Sequence, residues 1–386
     1  MKKIVEQDVV SVSEFFKDLE DPRSPVNRLH LLGDIIVICI CAIVSGADGP
    51  QAIGVWAASK QDWLKKVLQL PHGIPSHDTI GRVLATLKPS AFQACFERWT
   101  ARFQSPADSL SGAATPQIAI DGKALRRSHD QLHGLGPLFL VSAWSVHCGM
   151  SLGQLAIEEK SNEITAIPVL LENLDVQGAI VTIDAAGCQK NIAQQIVDQG
   201  GDYVLALKGN QETIHQAVQQ YVAEQTFNGF SQAAGRHHTV SQEAHGRRER
   251  YEYHQFAVPP QLKDREKWAQ LKTIGVVVRV SEQQGKVTCE TRYFLSSLAL
   301  GVKQFAHAVR GHWAIENTLH WCLDVTFRED ESRLRNRIAG ENVAWLKRFA
   351  IGLIKQQHSK ESVAMRRRKA GWNEDFLMQL LGISLG

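Results

Sequence analysis

Two short apolar runs of this chain each end on an aspartate that is closely followed by glycine. The run QIAID ends on Asp121, and the run AIVTID ends on Asp184. Short runs rich in β-branched residues and bounded by small residues predict buried strands. A charge buried without a partner is costly, whereas ligands bind at the ends of strands in open α/β sheets. The two acids therefore predict a divalent-cation site at a sheet edge; for either acid alone, a helix cap or a solvated turn is the alternative.

The pattern of apolar residues divides the chain into regions. In residues 1–104 apolar side chains recur at helical spacings, which predicts an all-α N-terminal domain. Such a domain is compatible with a DNA-reading unit and equally with an ordinary helical hairpin. Residues 105–116 are small, polar and Pro-containing, which is typical of a linker. Residues 117–386 predict an α/β domain whose mixed sheet follows the order βββαβαβ, with helices on its faces. A β-rich insertion at about 225–300 and a basic helical region at about 331–386 belong to this domain.

A third carboxylate lies in the apolar stripe of a predicted helix. Glu316 and His320 are four residues apart and share one helix face with His312. An acid in such a stripe needs a partner, which is either a neighbouring polar side chain or a metal ion at the strand ends. We favour Glu316 as the third acid because it lies in the middle of the helix. Three further acids in the segment LDVTFRED are alternatives for this role: Asp324, Glu329 and Asp330.

Composition argues against several other classes of protein. The formal net charge of +3 does not by itself indicate a nucleic-acid-binding protein, so local clusters must be considered. The seven cysteines form no CxxC pair, which favours free thiols in a reducing compartment. The most apolar run, residues 35–44, is about half of the roughly 20 residues that a membrane span needs. We therefore expect a cytoplasmic protein without a membrane partner, and the lack of a GxxxxGK[ST] loop predicts no nucleotide cofactor.

Eight motifs together carry a resemblance that extends over nearly the whole chain. In chain order they are DPRSPVNRLH, GIPSHDTIGRVL, IAIDGKALRRS, KSNEITAIPVLL, VTIDAAGCQKNIA, DYVLALKGNQ, HGRRERYEY and HWAIENTLHWCLDVTFREDESRLRN. In this combination the chain resembles the DDE transposases of bacterial insertion sequences, and among them the H-repeat-associated group linked to Rhs elements. The resemblance implies a ribonuclease H-like fold for the mixed sheet.

The resemblance also implies residue roles and partners. It makes Asp121, Asp184 and Glu316 the catalytic acids and the ligands of Mg2+ or Mn2+, as two ions. It implies cleavage at the ends of the insertion sequence and joining of the 3'-OH to target DNA. The partners would be terminal inverted repeats and target DNA, bound by a dimer. Many relatives carry Arg and Lys where this chain has His312 and Leu323. These departures leave an inactive DNA-binding relative as the alternative, and a metal-dependent nuclease without strand transfer is a further one.

Basic side chains are the candidates for contact with DNA phosphates. Residues 331–370 hold eleven Lys and Arg residues against three Glu residues, and the densest cluster is MRRRKAGW. An ordinary solvated surface is the alternative for each cluster. The candidate DNA-binding residues are Lys123, Arg126, Arg127, Lys208, Arg247, Arg248, Arg310, His312, His320, Arg366, Arg367, Arg368 and Lys369.

Overall fold

The structure is a computed structural model that describes residues 12–101, 115–158, 162–227, 235–244, 246–357 and 359–382. All nine strands of these ranges belong to one sheet. The strands are β1 (Gln117–Leu125), β2 (Leu138–Ser145), β3 (Met150–Ile157), β4 (Ile180–Ile183), β5 (Asp202–Leu207), β6 (Gly235–Ala244), β7 (Arg247–Ala257), β8 (Thr273–Gln283) and β9 (Lys286–Ser296).

The sheet is mixed, with strand order β3-β2-β1-β4-β5-β9-β8-β7-β6. Strand β4 runs parallel to β1 and to β5, and the other neighbouring strands are antiparallel. Parallel neighbours require crossover connections, which here contain α6 (Glu163–Glu172) and α7 (Lys190–Asp198). Residues 117–207 thus follow the order of strands and helices that the sequence predicts.

The β-rich insertion continues the same sheet. It follows helix α8 (Glu212–Phe227), and its last strand, β9, pairs antiparallel with β5, with Leu207 opposite Tyr293. The sequence predicts short strands separated by polar loops in this region. The four strands instead have ten or eleven residues each, because they form hairpins whose pairing continues along their whole length.

The first described range is helical, and further helices follow the sheet. None of the helices in the described part of the chain is both long and apolar enough to cross a membrane. The helices before β1 are α1 (Leu32–Val44), α2 (Pro50–Ser59), α3 (Gln61–Val67), α4 (His77–Thr86) and α5 (Pro89–Thr100). Those after β9 are α9 (Val302–Ala314), α10 (Arg337–Gln356), α11 (Val363–Trp372) and α12 (Glu374–Leu381).

The N-terminal helices pack against a helix from the other end of the chain. Asn342 on α10 is buried, and its side-chain amide donates to the carbonyls of Leu84 and Leu87 at the end of α4. Ser76 caps the start of helix α4, where its hydroxyl accepts from the backbone N–H of Thr79. The two parts of the chain share one hydrophobic core. Of the linker predicted at 105–116, residues 105–114 lie outside the described residues.

Helix α9 lies close against the sheet. The Gln117 side chain on β1 donates to the Ala308 carbonyl at 2.6 Å. A Cβ atom on Gly311 would lie 2.6 Å from Cδ of Gln117, closer than real Cβ atoms approach their neighbours. The sequence predicts regular helix beyond α9, but the chain continues as two π-helical segments, Ile315–His320 and Cys322–Thr326. The absence of a side chain at Gly311 therefore lets α9 lie directly against Gln117 of β1.

We expect Gly311→Ala to destabilise the protein by about 1–3 kcal/mol, because the added methyl group overpacks the contact with Gln117. The control is Gly33→Ala in α1, where a Cβ atom meets nothing within 4 Å. That change should be neutral or stabilise by up to about 1 kcal/mol through helix propensity. Denaturant unfolding of both variants measures the difference, and equal stabilities would contradict the close packing of α9.

Candidate active site

The pairing of β1 with β4 brings the two predicted aspartates side by side. Ile120 lies opposite Ile183 in the parallel register, and Asp121 and Asp184 are the next residue of each strand run. Neighbouring strands lie about 4.8 Å apart, so the two acids project from adjacent positions. Backbone N–H groups hold both carboxylates: Gly122 donates to Asp121 at 2.9 Å, and Ala186 donates to Asp184 at 3.0 Å.

Glu316 reaches the same pocket from the first π-helical segment. Its neighbours Ile315 and Leu319 are fully buried, whereas the Glu316 side chain is exposed. π-Helical turns occur frequently at functional sites, where the extra residue per turn redirects side chains. Asp121, Asp184 and Glu316 all line one pocket of about 440 Å³. The structure thus brings together the three acids that the sequence singles out.

Two histidines predicted to bind DNA lie inside this site. The Nδ1 atom of His312 is 3.1 Å from the hydroxyl of Thr182, and Nδ1 of His320 is 3.6 Å from the carboxylate of Asp121. Burial lowers the pKa of His312 to about 4 and that of His320 to about 3. Both imidazoles are therefore neutral at pH 7. His312 lines the acid pocket and His320 lies beside Asp121, so a contact of either ring with DNA stays a prediction.

The charges in the pocket suit a divalent cation. Burial raises the pKa of Asp121 to about 7, and the negative charges of Asp184, Glu316 and Glu163 add to the rise. Like charges this close repel unless a cation lies between them. Carboxylate oxygens are the ligands that hard cations such as Mg2+ and Mn2+ prefer, so the donor chemistry fits. Among the described residues, however, no three His, Cys, Asp or Glu side chains already converge closely enough to hold an ion.

The three alternative acids belong to a separate ionic network. Lys123 is buried, and its ammonium group lies 2.7 Å from Asp324, 2.9 Å from Asp330 and 3.6 Å from Glu329. Glu329 also accepts from the buried guanidinium of Arg348 at 2.8 Å. Cations thus neutralise these acids. The buried ammonium group of Lys123 in turn is ion-paired with these carboxylates. This corrects the expectation that Lys123 contacts DNA.

Two arginines of the basic cluster in α11 are also buried. Arg366 donates to the carbonyl of Ile354 at the end of α10, and Arg367 donates to that of Ile43 at the end of α1. The Arg367 guanidinium also lies 4.1 Å from the centre of the Phe327 ring. Cationic donors suit the free carbonyls at helix C-termini. The expectation that Arg366 and Arg367 face DNA is therefore corrected: both connect helices in the interior.

The other basic candidates lie at the surface or at the pocket wall. Lys208 is exposed and lines the pocket of the three acids, and Lys369 is paired with Glu361. Arg292 on β9 also lines this pocket, 5.2 Å from the Trp313 ring centre, and the sequence did not single it out. Only the long-range pairing of β9 with β5 brings it there. The remaining exposed candidates are Arg126, Arg127, Arg247, Arg248, Arg310 and Arg368.

Comparison with known proteins defines the class of enzyme. The family model described as Transposase DDE domain matches residues 113–353, and the one described as DDE_Tnp_1-associated matches residues 13–100. The chain therefore belongs to the DDE transposase family, whose members are polynucleotidyl transferases and endonucleases.

Relatives of known name agree with this assignment. The H repeat-associated putative transposase YhhI of Escherichia coli (strain K12) is 36% identical over 374 residues, covering 95% of this chain and 97% of that protein. The putative transposase YncI of Escherichia coli O157:H7 is 36% identical over 378 residues, covering 97% of this chain and 95% of that protein.

A cryo-EM structure of the piggyBac transposase synaptic complex with hairpin DNA aligns at 10% identity and a TM-score of 0.39, covering 96% of this chain and 75% of that chain.

Glu329→Gln should destabilise the protein by about 3–5 kcal/mol at neutral pH, because it leaves Arg348 buried without its charge partner. Burial works to raise the pKa of Glu329, but the charges of Arg348, Lys123 and Lys347 hold that pKa below its usual value. The ionised carboxylate therefore stabilises the fold above the unfolded-state pKa of about 4.3, and this stabilisation is lost as the pH falls through the folded-state pKa.

The measurement is the free energy of unfolding of the wild type and the variant between neutral and acid pH. The difference between them should shrink as the pH falls. Glu331→Gln is the control, since Glu331 is half-exposed and pairs with Arg328 at the surface. If Glu329→Gln is as stable as the wild type at neutral pH, the network has no structural role.

Proposed function

We propose that this protein cleaves DNA at the ends of its insertion sequence and joins the freed 3'-OH to target DNA. The observation that carries the proposal is one pocket lined by Asp121, Asp184 and Glu316, from two adjacent parallel strands and a helix. We further propose that strands β1–β5 and their crossover helices form a ribonuclease H-like fold. The family match supports both, because these acids lie within the matched range 113–353.

The three acids would hold Mg2+ or Mn2+, as two ions. Such ions, when bound, activate an attacking oxygen and stabilise the leaving oxygen of a phosphodiester. The backbone N–H groups of Gly122 and Ala186 orient the carboxylates of Asp121 and Asp184 toward that position. Lys208 and Arg292 add positive charge at the pocket wall, where the phosphate groups of DNA would lie. His312 lines the same pocket and His320 lies beside Asp121, and as neutral imidazoles they add no positive charge there.

Two successive displacements account for transposition. Water attacks first and nicks the end of the element, and the freed 3'-OH then attacks target DNA. Neither step needs a covalent enzyme intermediate or a nucleotide cofactor. The partners are thus the terminal inverted repeats and target DNA, and synapsis of two ends requires two copies of the chain on DNA. We assign end binding to the N-terminal helices, within residues 1–104, and catalysis to residues 117–386.

Asp184→Asn and Glu316→Gln should each lower the cutting rate by roughly a thousandfold or more, equivalent to about 4 kcal/mol of barrier, while DNA binding is kept. The matched control is Asp324→Asn, which removes an acid that pairs with Lys123. It should keep the wild-type cutting rate. The measurement uses a labelled duplex that carries the element's own end, with Mg2+, Mn2+ or EDTA.

The products of this reaction separate the proposal from its alternatives. Metal-dependent nicks followed by joined strands support transposition. Free ends without joined products indicate a nuclease, and specific binding without cutting indicates an inactive DNA-binding relative. Loss of cutting in Asp324→Asn, with full activity in Glu316→Gln, would move the third acid to Asp324 in the second π-helical segment.

The exposed cations should govern the salt dependence of DNA binding. Arg248→Gln and Arg310→Gln each remove a surface charge, and each should lower the slope of log affinity against log salt by about 0.9 if that residue contacts one phosphate. Binding is measured in EDTA, so that no cutting occurs. Lys267→Gln is the control at a distant exposed cation already paired with Asp264. An unchanged slope for both arginine variants would remove these residues from the DNA interface.

A further inference from the structure

The hairpin of β1 and β2 projects past the sheet edge at which the acid pocket lies. Strand β4 pairs with β1 as far as Ile120, and residues 122–125 continue to pair with β2 beyond that point. At about 3.3 Å per residue, these four residues carry the strand end about 13 Å past Asp121. The β1–β2 loop, residues 126–137, stands at that end. Duplex DNA rises about 3.4 Å per base pair, so DNA with a phosphate at the acids reaches the loop about four base pairs away.

Hydrogen bonds fix the β1–β2 loop, although it is much longer than a tight hairpin turn. The hydroxyl of Ser128 is buried; it donates to the carbonyl of Leu125 at 2.7 Å and accepts from the backbone N–H of Leu138 at 2.8 Å. Further out, Asp130 and Leu135 exchange two backbone hydrogen bonds of 2.9 Å. The loop therefore holds its outermost turn in one position.

The outermost turn presents an apolar side chain to solvent. Leu132 is 83% exposed, and its backbone N–H donates to the carboxylate of Asp130 at 3.2 Å. The Nδ1 atom of His133 lies 2.7 Å from the same carboxylate, and Gly134 closes the turn with a φ of 66°. A single exposed leucine is ordinary on a protein surface, so its surroundings must decide whether this one has a partner.

Arginines from two distant parts of the sequence lie around this turn. Arg126 and Arg127 begin the loop, Arg335 follows the π-helical segments, and all three are exposed. The hydrogen bond from His133, supported by the charge of Arg335, holds the pKa of Asp130 below its usual value, which places Arg335 near the turn. The guanidinium of Arg337 donates to the carbonyl of Gly136 at 2.5 Å and so attaches the second segment to the loop.

Much of this positive charge is not neutralised within the fold. Arg126 lies 3.2 Å from the carboxylate of Asp330, which also pairs with the buried Lys123. Over the ranges that the structure describes, Arg127 and Arg335 take part in no ion pair. A second copy of the same surface would bring like charges together, which is unfavourable. Phosphate groups are the complementary partner, and an apolar side chain between such cations suits a DNA groove.

We propose that the β1–β2 loop and Arg335 hold duplex DNA beside the acid pocket, with Leu132 inserted as a wedge between base pairs in the minor groove. The inference rests on the proposed function, since it names how the DNA next to that site is held. Arginines contact the phosphates and fix the position of the duplex, whereas the leucine partly unstacks one base step and bends it. The motif IAIDGKALRRS then supplies both a catalytic acid and part of a DNA-binding surface.

The first test measures the salt dependence of binding to a duplex with the element's own end, in EDTA. Arg127→Gln and Arg335→Gln should each lower the slope of log affinity against log salt by about 0.9, the value for one phosphate contact. Arg265→Gln, at an exposed arginine between β7 and β8, is the matched control and should keep the wild-type slope. Wild-type slopes for both Arg127→Gln and Arg335→Gln would overturn the DNA surface.

The second test measures the bend of the same duplex by energy transfer between dyes at its two ends. The wild type should bend it by about 20–90°, the range for apolar wedges. Leu132→Ala should lose most of the bend and keep the salt slope, while Leu132→Met, a side chain that also serves as a wedge, should retain it. Val169→Ala, at a leucine-sized exposed site on α6, is the control. Leu132 is so exposed that its variants should unfold at the wild-type temperature.

An unbent duplex with the wild type, or equal bends with the wild type and Leu132→Ala, would overturn the wedge. Self-association of the chain that Leu132→Ala abolishes, with DNA binding unchanged, would assign the surface to a second copy and overturn the inference as well. Failure of the proposed function gives a different result. A wild type that bends the duplex through Leu132 but never cuts it with Mg2+ or Mn2+ would refute the cleavage and leave the DNA surface standing.

Discussion

The parallel pairing of β1 with β4 is the constraint on which the rest of the site depends. It places Asp121 and Asp184 on adjacent strand positions, where two negative charges repel each other. Backbone N–H donors hold both carboxylates, and two cations, Lys208 and Arg292, line the same pocket. Carboxylate oxygens gathered in this way are chemically suited to bind a divalent cation.

Much of the positive charge in the chain is used inside the fold. Lys123 and Arg348 pair with the acids within and after the second π-helical segment, and Arg366 and Arg367 donate to carbonyls at helix ends. These contacts connect α10 and α11 to the N-terminal helices and to β1, so the sheet is held from both ends of the chain. Buried ion pairs of this type contribute mainly by avoiding uncompensated charge, which is why losing one partner is more harmful than the pair is favourable.

Several parts of the site were accessible from sequence because they are local. An apolar run that ends on an acid predicts a strand with that acid at its end. Apolar residues at helical spacing on both sides of Glu316 predict a helix with the acid on its apolar face. The burial of Arg366 and Arg367 was not accessible, because a basic run has the same appearance whether its partners are phosphates or carbonyls distant in sequence. Arg292 was missed for a related reason: a cation in a strand is ordinary when read alone.

The sequence by itself determined the order of elements over 117–207, the positions of the three acids and, through its motifs, the family. These properties depend on residue type and short spacing, which the chain carries along its length. Only the tertiary structure decided which charges meet. The parallel register and the close contact of Gly311 with Gln117 arise from residues that are far apart in sequence. Charge interactions depend on distance and burial in space, so composition and spacing cannot specify them.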